Sequence, residues 1–338
     1  MQDLEVIKLE NEAIKASFIP LGASIVSLEV PDRHGTMRDV VLGYKDRDLY
    51  RRNPLYLGCV VGRNANRIAG GKFRLHDIQH QMPLNEGANN LHSGPDGWNL
   101  RAWKRQLNPD RVNPSVRFSL NSPDGDQDLP GEVSMSVTYT LRGPNQLIID
   151  YAAAVSRDTL LNPTQHTYFN LHGENAGSAE TMHLQINSPA YTPTDHSLIP
   201  TGEIRPVAGT PMDFRTSKPI NQDLYADYPD LILAQGFDHN FVLENQGTLE
   251  PAATLYSPRT GITMNILTDR PGIQFYGGQM LDGSYVGKCG KPYQKFAGIC
   301  LETQKWPDAI HHPSFPSPVV KAGKFNTQTI LEFNVISD

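Results

Sequence analysis

Two short segments carry the side chains best suited to moving protons. Gly298-Ile299-Cys300-Leu301-Glu302-Thr303-Gln304-Lys305-Trp306-Pro307-Asp308 passes from an apolar run into a polar, aromatic patch closed by a proline, and it delivers one carboxylate, Glu302. Asn162-Pro163-Thr164-Gln165-His166-Thr167-Tyr168-Phe169-Asn170-Leu171 presents one imidazole, His166, in the same way. Brought together, a carboxylate and an imidazole can take one proton from a small molecule and return another. Free Glu titrates near ~4.3 and free His near ~6.5. The carboxylate is therefore ready at neutral pH, whereas the imidazole needs a nearby anion to hold its charge. Glu302 is expected to supply part of that bias.

Other polar residues stand where surface decoration explains them poorly. In Gly236-Phe237-Asp238-His239-Asn240-Phe241, a carboxylate and an amide sit between aromatics. Asp238 could accept hydrogen bonds from sugar hydroxyls, or it could cap a turn. The segment Gly62-Arg63-Asn64-Ala65-Asn66-Arg67-Ile68 holds two arginines and two asparagines in five positions, and reads equally as a solvated loop or a functional one. His92 lies in a turn-rich loop that also holds Trp98, and a loop histidine is more often a surface residue than a catalytic one. Gln274 lies in a strand that ends in a double glycine, and its face stays open. For Trp306, core packing and a ring facing the site are balanced. Trp98 leans toward the site.

Stepping from these residues to the chain that carries them, no dinucleotide fingerprint, P-loop, zinc-protease helix or nucleophile elbow occurs. Adjacent His311 and His312 point to opposite sides of an extended chain, and no histidine pair has zinc-site spacing. We expect neither metal nor cofactor. The 338 residues are 38% hydrophobic and 20% charged, as in a soluble globular protein. A net charge of −6 with scattered Lys and Arg argues against nucleic acid. The chain shows no signal peptide and no apolar run long enough to span a bilayer, so no membrane partner is expected. Cys59, Cys289 and Cys300 are odd in number and widely spaced, which fits a reducing, cytoplasmic setting and small buried side chains. The sequence leaves monomer and dimer both open.

Val133, Met135, Val137, Tyr139 and Leu141 alternate with polar residues, Arg142-Gly-Pro-Asn145 turns the chain, and the alternation resumes over 147–155. That is a hairpin. Residues 116–120 add a third strand, residues 253–267 a second hairpin, and 4–30 and 39–43 further short strands. With Gly and Pro filling about one position in six and no sustained helical periodicity, the chain is expected to be all-β, with few short helices. Candidate site residues are spread from 63 to 308 with no linker between them, which favours one domain over 1–338.

Five blocks in order resemble the aldose 1-epimerases, the galactose mutarotases: Gly62-Arg-Asn-Ala-Asn-Arg-Ile68; Asn90-Leu-His-Ser-Gly94 with Trp103; residues 162–171; Phe237-Asp-His-Asn-Phe241; and Leu301-Glu-Thr-Gln-Lys-Trp-Pro-Asp308 with Phe315-Pro316. The resemblance implies a large antiparallel β-sandwich, no cofactor and a sugar substrate such as galactose or glucose. It implies Glu302 as general base, His166 as general acid, and Asn66, Arg67, His92, Asp238 and Gln274 as sugar-binding. Ser93, Trp98-Asn99, Gln165 and Phe237 depart from the family's usual residues, which bears on substrate preference. Three rival readings remain: a non-catalytic carbohydrate-binding sandwich, an epimerase of a phosphorylated or carboxylated sugar drawing on Arg63 and Arg67, and a glycoside hydrolase using Asp238 with Glu302.

Overall fold

A computed structural model describes residues 2–110, 112–245 and 247–337. The alternating segments form the hairpin expected of them. Val133–Arg142 and Gln146–Val155 pair antiparallel without a break, from Val133↔Val155 to Arg142↔Gln146. The apolar residues at alternate positions of both strands, Val133 to Leu141 and Leu147 to Val155, enter the main core. Ser115–Ser122 pairs on one side of this hairpin and Gly323–Val335 on the other. Gly323–Val335 also pairs with Ile262–Thr268, so the C-terminal strand joins two hairpins into a nine-stranded sheet.

A six-stranded sheet packs against it, in the order Tyr168–Phe169, Ile299–Gln304, Gly272–Tyr276, Asp238–Val242, Ala190–Thr192, Arg205–Pro206. Phe241, Ile273, Phe275 and Leu301 from this sheet share one core with Val137, Tyr139 and Ile149 of the other. Two sheets sharing one apolar interior make the β-sandwich expected from the sequence. A side-chain contact crosses between them as well, Thr303 Oγ1 to Thr329 Oγ1 at 2.6 Å. The described helical structure is one six-residue α-helix, Pro229–Ala234, and short 3-10 turns.

Residues 7–10, 15–19, 24–31 and 37–39 form a four-stranded sheet. The expected strand over 39–43 is assigned only as far as Asp39. Beyond it the backbone divides its hydrogen bonds: Val40 N–H donates to Leu28, and Leu42 N–H donates to Tyr168 in the six-stranded sheet. This segment links two sheets rather than extending one.

Cys59 and Cys300 are buried, as expected, but Cys289 is exposed. It sits on a tight turn where Gly287 N–H donates to Lys291 O, and this turn carries its side chain off the core.

Candidate active site

The six-stranded sheet has one face in the core and one face for chemistry. Residues paired across strands share a face, and the register aligns Asn240, Gln274 and Glu302 in one row and Asp238, Tyr276, Cys300 and Tyr168 in the next. The core residues Phe241, Ile273, Phe275 and Leu301 occupy the alternate positions. Gln274 therefore shares the face of Tyr276 and Glu302 with no bulge. Asp238 and Asn240 lie within a strand, not on a turn. Every residue of Ile299–Gln304 is buried, because residues 42–57 and 277–297 cover the chemical face around Cys300.

His166 comes from a separate two-stranded pair. Thr164–His166 pairs with Cys59–Val61, placing His166 opposite Cys59, before the chain enters the six-stranded sheet at Tyr168. This brings His166 Nε2 to 3.8 Å from Glu302 Oε1. Tyr168 shares the site, its ring 5.3 Å from that of His166, while Phe169 turns into the core.

Asn66 and His92 are held by each other. Asn66 N–H donates to His92 Nδ1 at 3.1 Å, and His92 N–H donates to Asn66 O at 3.0 Å. Both residues have left-handed backbone, with φ of 62° and 54°. Because Nδ1 accepts, His92 carries its proton on Nε2. Burial, then the neighbouring His166 and Arg67, push its pKa well below the usual value, so it is a neutral N–H donor. Although loop histidines are more often at the surface, this one is buried.

Arg67 is gripped from two sides. Its Nε and Nη2 donate to Glu86 at 2.6 and 2.7 Å, and Nη1 lies 3.6 Å from Asp238 Oδ2. Gln274 donates to the other oxygen of Asp238 at 2.7 Å. Asn66, Arg67, His92, His166, Asp238 and Glu302 all line one cavity of about 230 Å³, a volume suited to a monosaccharide. Gln274 stands behind that wall and reaches the cavity through Asp238.

Inside, burial drives both candidate catalysts toward their neutral forms. It raises the Glu302 pKa well above the ordinary value, helped by Asp238 and opposed by Arg67. It lowers the His166 pKa to about 4, opposed by the ring's bond to its own backbone and by Asp238. The anion that favours a charged His166 is thus Asp238, where Glu302 was expected to supply part of that bias, because desolvation pushes Glu302 toward its own neutral form. Glu302 Oε2 is buried with no hydrogen-bond partner in the protein, which leaves it available to a ligand.

Several lining residues carry no local signal in the sequence. Glu86 lies in a polar turn, and only the fold brings it to Arg67. The Tyr56 ring lies tilted 4.8 Å from that of His92 and 5.6 Å from that of His166. Tyr276, Leu198 and Met280 complete the walls. Trp98 and Trp306, by contrast, are structural. The Trp98 ring lies where a Cβ on Gly62 would come within 2.3 Å of it, and meets Trp103 edge-on. Trp306 packs on Phe315 and donates to Pro271 O. The residues that depart from the family also sit behind the cavity: Ser93 Oγ ties to the Asn64 backbone, Gln165 to Tyr139 and Gly58, and Phe237 lies in the core.

Arg63 is away from the cavity. It is buried and donates to Ser122 and to the carbonyls of Pro123, Pro130 and Gly131. Removing it orphans several buried acceptors at ~1–3 kcal/mol each. Arg63→Ala is expected to lose roughly 3–5 kcal/mol in denaturant melts while the folded fraction keeps its site. A fully stable variant would contradict this.

His166, Cys300 and Glu302 bring ligand-type atoms within 4.8 Å of one another. They do not converge on one point. Nδ1 of His166 faces Cys300 at 3.6 Å, and Nε2 faces Glu302. His311 and His312 both turn to Asp308, at 2.6 and 3.5 Å.

The family model described as aldose 1-epimerase matches residues 5–331. A galactose mutarotase of Homo sapiens is 39% identical over 333 residues, covering 98% of this chain and 94% of that protein. An aldose 1-epimerase of Haemophilus influenzae is 39% identical over 323 residues, covering 94% and 92%. Among solved structures, an aldose epimerase homologue from C. elegans superposes with a TM-score of 0.89 at 29% identity, covering 98% of this chain and 99% of that one.

Proposed function

This chain belongs to the aldose 1-epimerase family, and from that premise we propose that it interconverts the α and β anomers of aldoses with Glu302 as general base and His166 as general acid. The observation that carries the assignment is the pairing itself: a buried carboxylate with a free oxygen, 3.8 Å from a buried imidazole, at the wall of a sugar-sized cavity.

The proton count is consistent with such a pair. A neutral carboxyl beside a neutral imidazole holds as many protons as a carboxylate beside an imidazolium. The two states differ only in where one proton sits, so the desolvated empty site and the reactive site are one transfer apart. In the reactive state, Glu302 takes the proton of the C1 hydroxyl and His166 gives one to the ring oxygen. The O–H electron pair forms C1=O as the C1–O5 bond breaks. Rotation about C1–C2 exposes the other face of the aldehyde. His166 then removes the O5 proton while O5 attacks C1, and Glu302 returns its proton to the C1 oxygen. His92 Nε2–H and Arg67 supply fixed donors where oxygen gains charge.

Asp238 and Glu86 give the cavity two carboxylates against one guanidinium, and the Glu302–His166 pair is neutral overall in either of its states. That balance supports an uncharged aldose over a phosphorylated or carboxylated one. Galactose and glucose are the first substrates to test, since relatives of this chain are named galactose mutarotases. The site draws on residues from 54 to 302, which supports one functional unit over 1–338. No described helix is long and apolar enough to cross a membrane. A cytoplasmic location is proposed from the three free cysteines.

Polarimetry on freshly dissolved α-D-galactose and α-D-glucose tests this reading. Catalysed approach to the same rotation endpoint is expected, and no response from either sugar or a wider aldose panel would refute it. Asp238→Asn removes a charged acceptor worth ~1.5–3 kcal/mol, so kcat/KM is expected to fall roughly 10–100-fold, mostly through KM. An unchanged KM would take Asp238 out of the sugar site.

A further inference from the structure

We propose that Cys300 is a positioning residue for His166, its thiol holding the ring at Nδ1 so that Nε2 faces the cavity in both protonation states of the imidazole. The inference rests on His166 being the general acid.

The geometry comes from the sheet. Cys300 pairs with Tyr168 and stands two residues before Glu302 on the same strand and the same face. One strand thus carries both the base and the partner of the acid. Sγ lies 3.6 Å from Nδ1, within reach of a sulfur hydrogen bond, and the thiol is free and fully buried.

The chemistry of a thiol suits a ring that must change charge twice per turnover. A thiol is a weak donor and a weak acceptor. As an uncharged acceptor it can take the Nδ1–H bond of both the neutral and the charged ring, so that Nε2 is the nitrogen that gives and takes the proton. His92 shows the opposite arrangement. Its Nδ1 accepts from a backbone N–H, a partner that can only donate, so that ring is held neutral. A carboxylate in place of Cys300 would lock His166 in its charged form. Cys300 remains a thiol throughout, because burial, with Glu302 and Asp238 nearby, raises its pKa well above the ordinary value.

The other groups around His166 do not take this role. Glu302 faces Nε2, and Asp238 acts through charge. The rings of His92, Tyr56 and Tyr168 lie 5.3–5.6 Å away by centroid. Cys59, the register partner of His166, gives its thiol to Tyr56 O. The backbone carbonyl of His166 itself also contacts the ring and favours its charged form, but it belongs to the same residue and does not tie the ring to the strand that carries Glu302.

The test uses the full-length protein with Cys300→Ser, Cys300→Ala and Cys300→Val, each checked for a cooperative melt. The readouts are kcat, KM, the pH profile of kcat, and the ¹⁵N shifts of the His166 ring. Cys300→Ala and Cys300→Val are expected to lose about tenfold or more in kcat, with KM little changed, a displaced acid limb and a mixed tautomer signal. Cys300→Ser, which keeps a group that both donates and accepts, is expected to restore the rate and the profile. Cys300→Val fills the space without a hydrogen bond, so it separates packing from positioning. If it keeps the wild-type rate and ring signals, the proposal is overturned. Equal losses in Ser and Val would also overturn it, because the effect would then be packing. A silent Cys300→Val beside an inactive His166→Gln overturns this inference alone, whereas an active His166→Gln removes the reading beneath it.

Discussion

Glu302→Gln is expected to lower kcat by about 10²–10⁴-fold, the range for a positioned acid or base, while the protein stays folded. Glutamine keeps the shape of the neutral carboxyl that burial favours, so the walls formed by Asp238, Tyr168 and Tyr276 need not move. What it cannot do is accept the C1 hydroxyl proton. Polarimetry gives the rate, and a thermal melt gives the stability. The stability has its own signature. The folded-state pKa of Glu302 is raised, so above about 4.5 the native chain holds a proton that the unfolded chain has released. Stability from this group is full below that pH and is lost as pH rises through the folded value. Glu302→Gln removes that loss, so its melting temperature at neutral pH should equal or exceed that of the wild type. A folded variant with wild-type rate would remove Glu302 from the role of base.

His166→Gln is expected to cost a similar factor in kcat, because glutamine cannot give a proton to the ring oxygen or take it back. Its stability signature has the opposite sign. With the folded pKa near 4 against an ordinary 6.5, the unfolded chain binds the extra proton across that window. Stability from the neutral ring is therefore present above about 6.5 and is lost as pH falls toward 4. The variant lacks this term, so its melting temperature should fall less on acidification than that of the wild type. The two substitutions should thus flatten opposite flanks of the stability profile. Parallel profiles for wild type and both variants would show that neither group is buried in the state assigned to it. An active His166→Gln would require another acid, with His92 the first to examine.

Much of this could be read before any fold was known. Strand period is strictly two, so the alternation over 133–155 determines which side chains face inward wherever the strands end up. The segment holding Glu302 stands out because a single ionisable group in an apolar run is costly unless it is used. Order and spacing of the five blocks were enough to assign the family.

What the sequence could not supply was relation across strands. Gln274 had no face until its register with Asn240 and Glu302 was known, and Asp238 could equally have capped a turn. Arg63 and Arg67 are four residues apart with the same chemistry nearby. One is buried among carbonyls as a structural tie and the other reaches the cavity, a division made by Ser122 and Glu86, which local sequence does not connect to them. Trp98 misled for the same reason: a large ring in a glycine-rich loop looks available to a sugar until Gly62 is seen to receive it. Protonation was the least accessible property. Composition sets ordinary pKa values, but only burial by covering segments remote in sequence pushes Glu302 and His166 toward their neutral forms in the empty site. The chain's own order thus determined its chemistry by residue type and its folding by period. Distance and desolvation, which depend on contacts between remote segments, were decided by the tertiary structure.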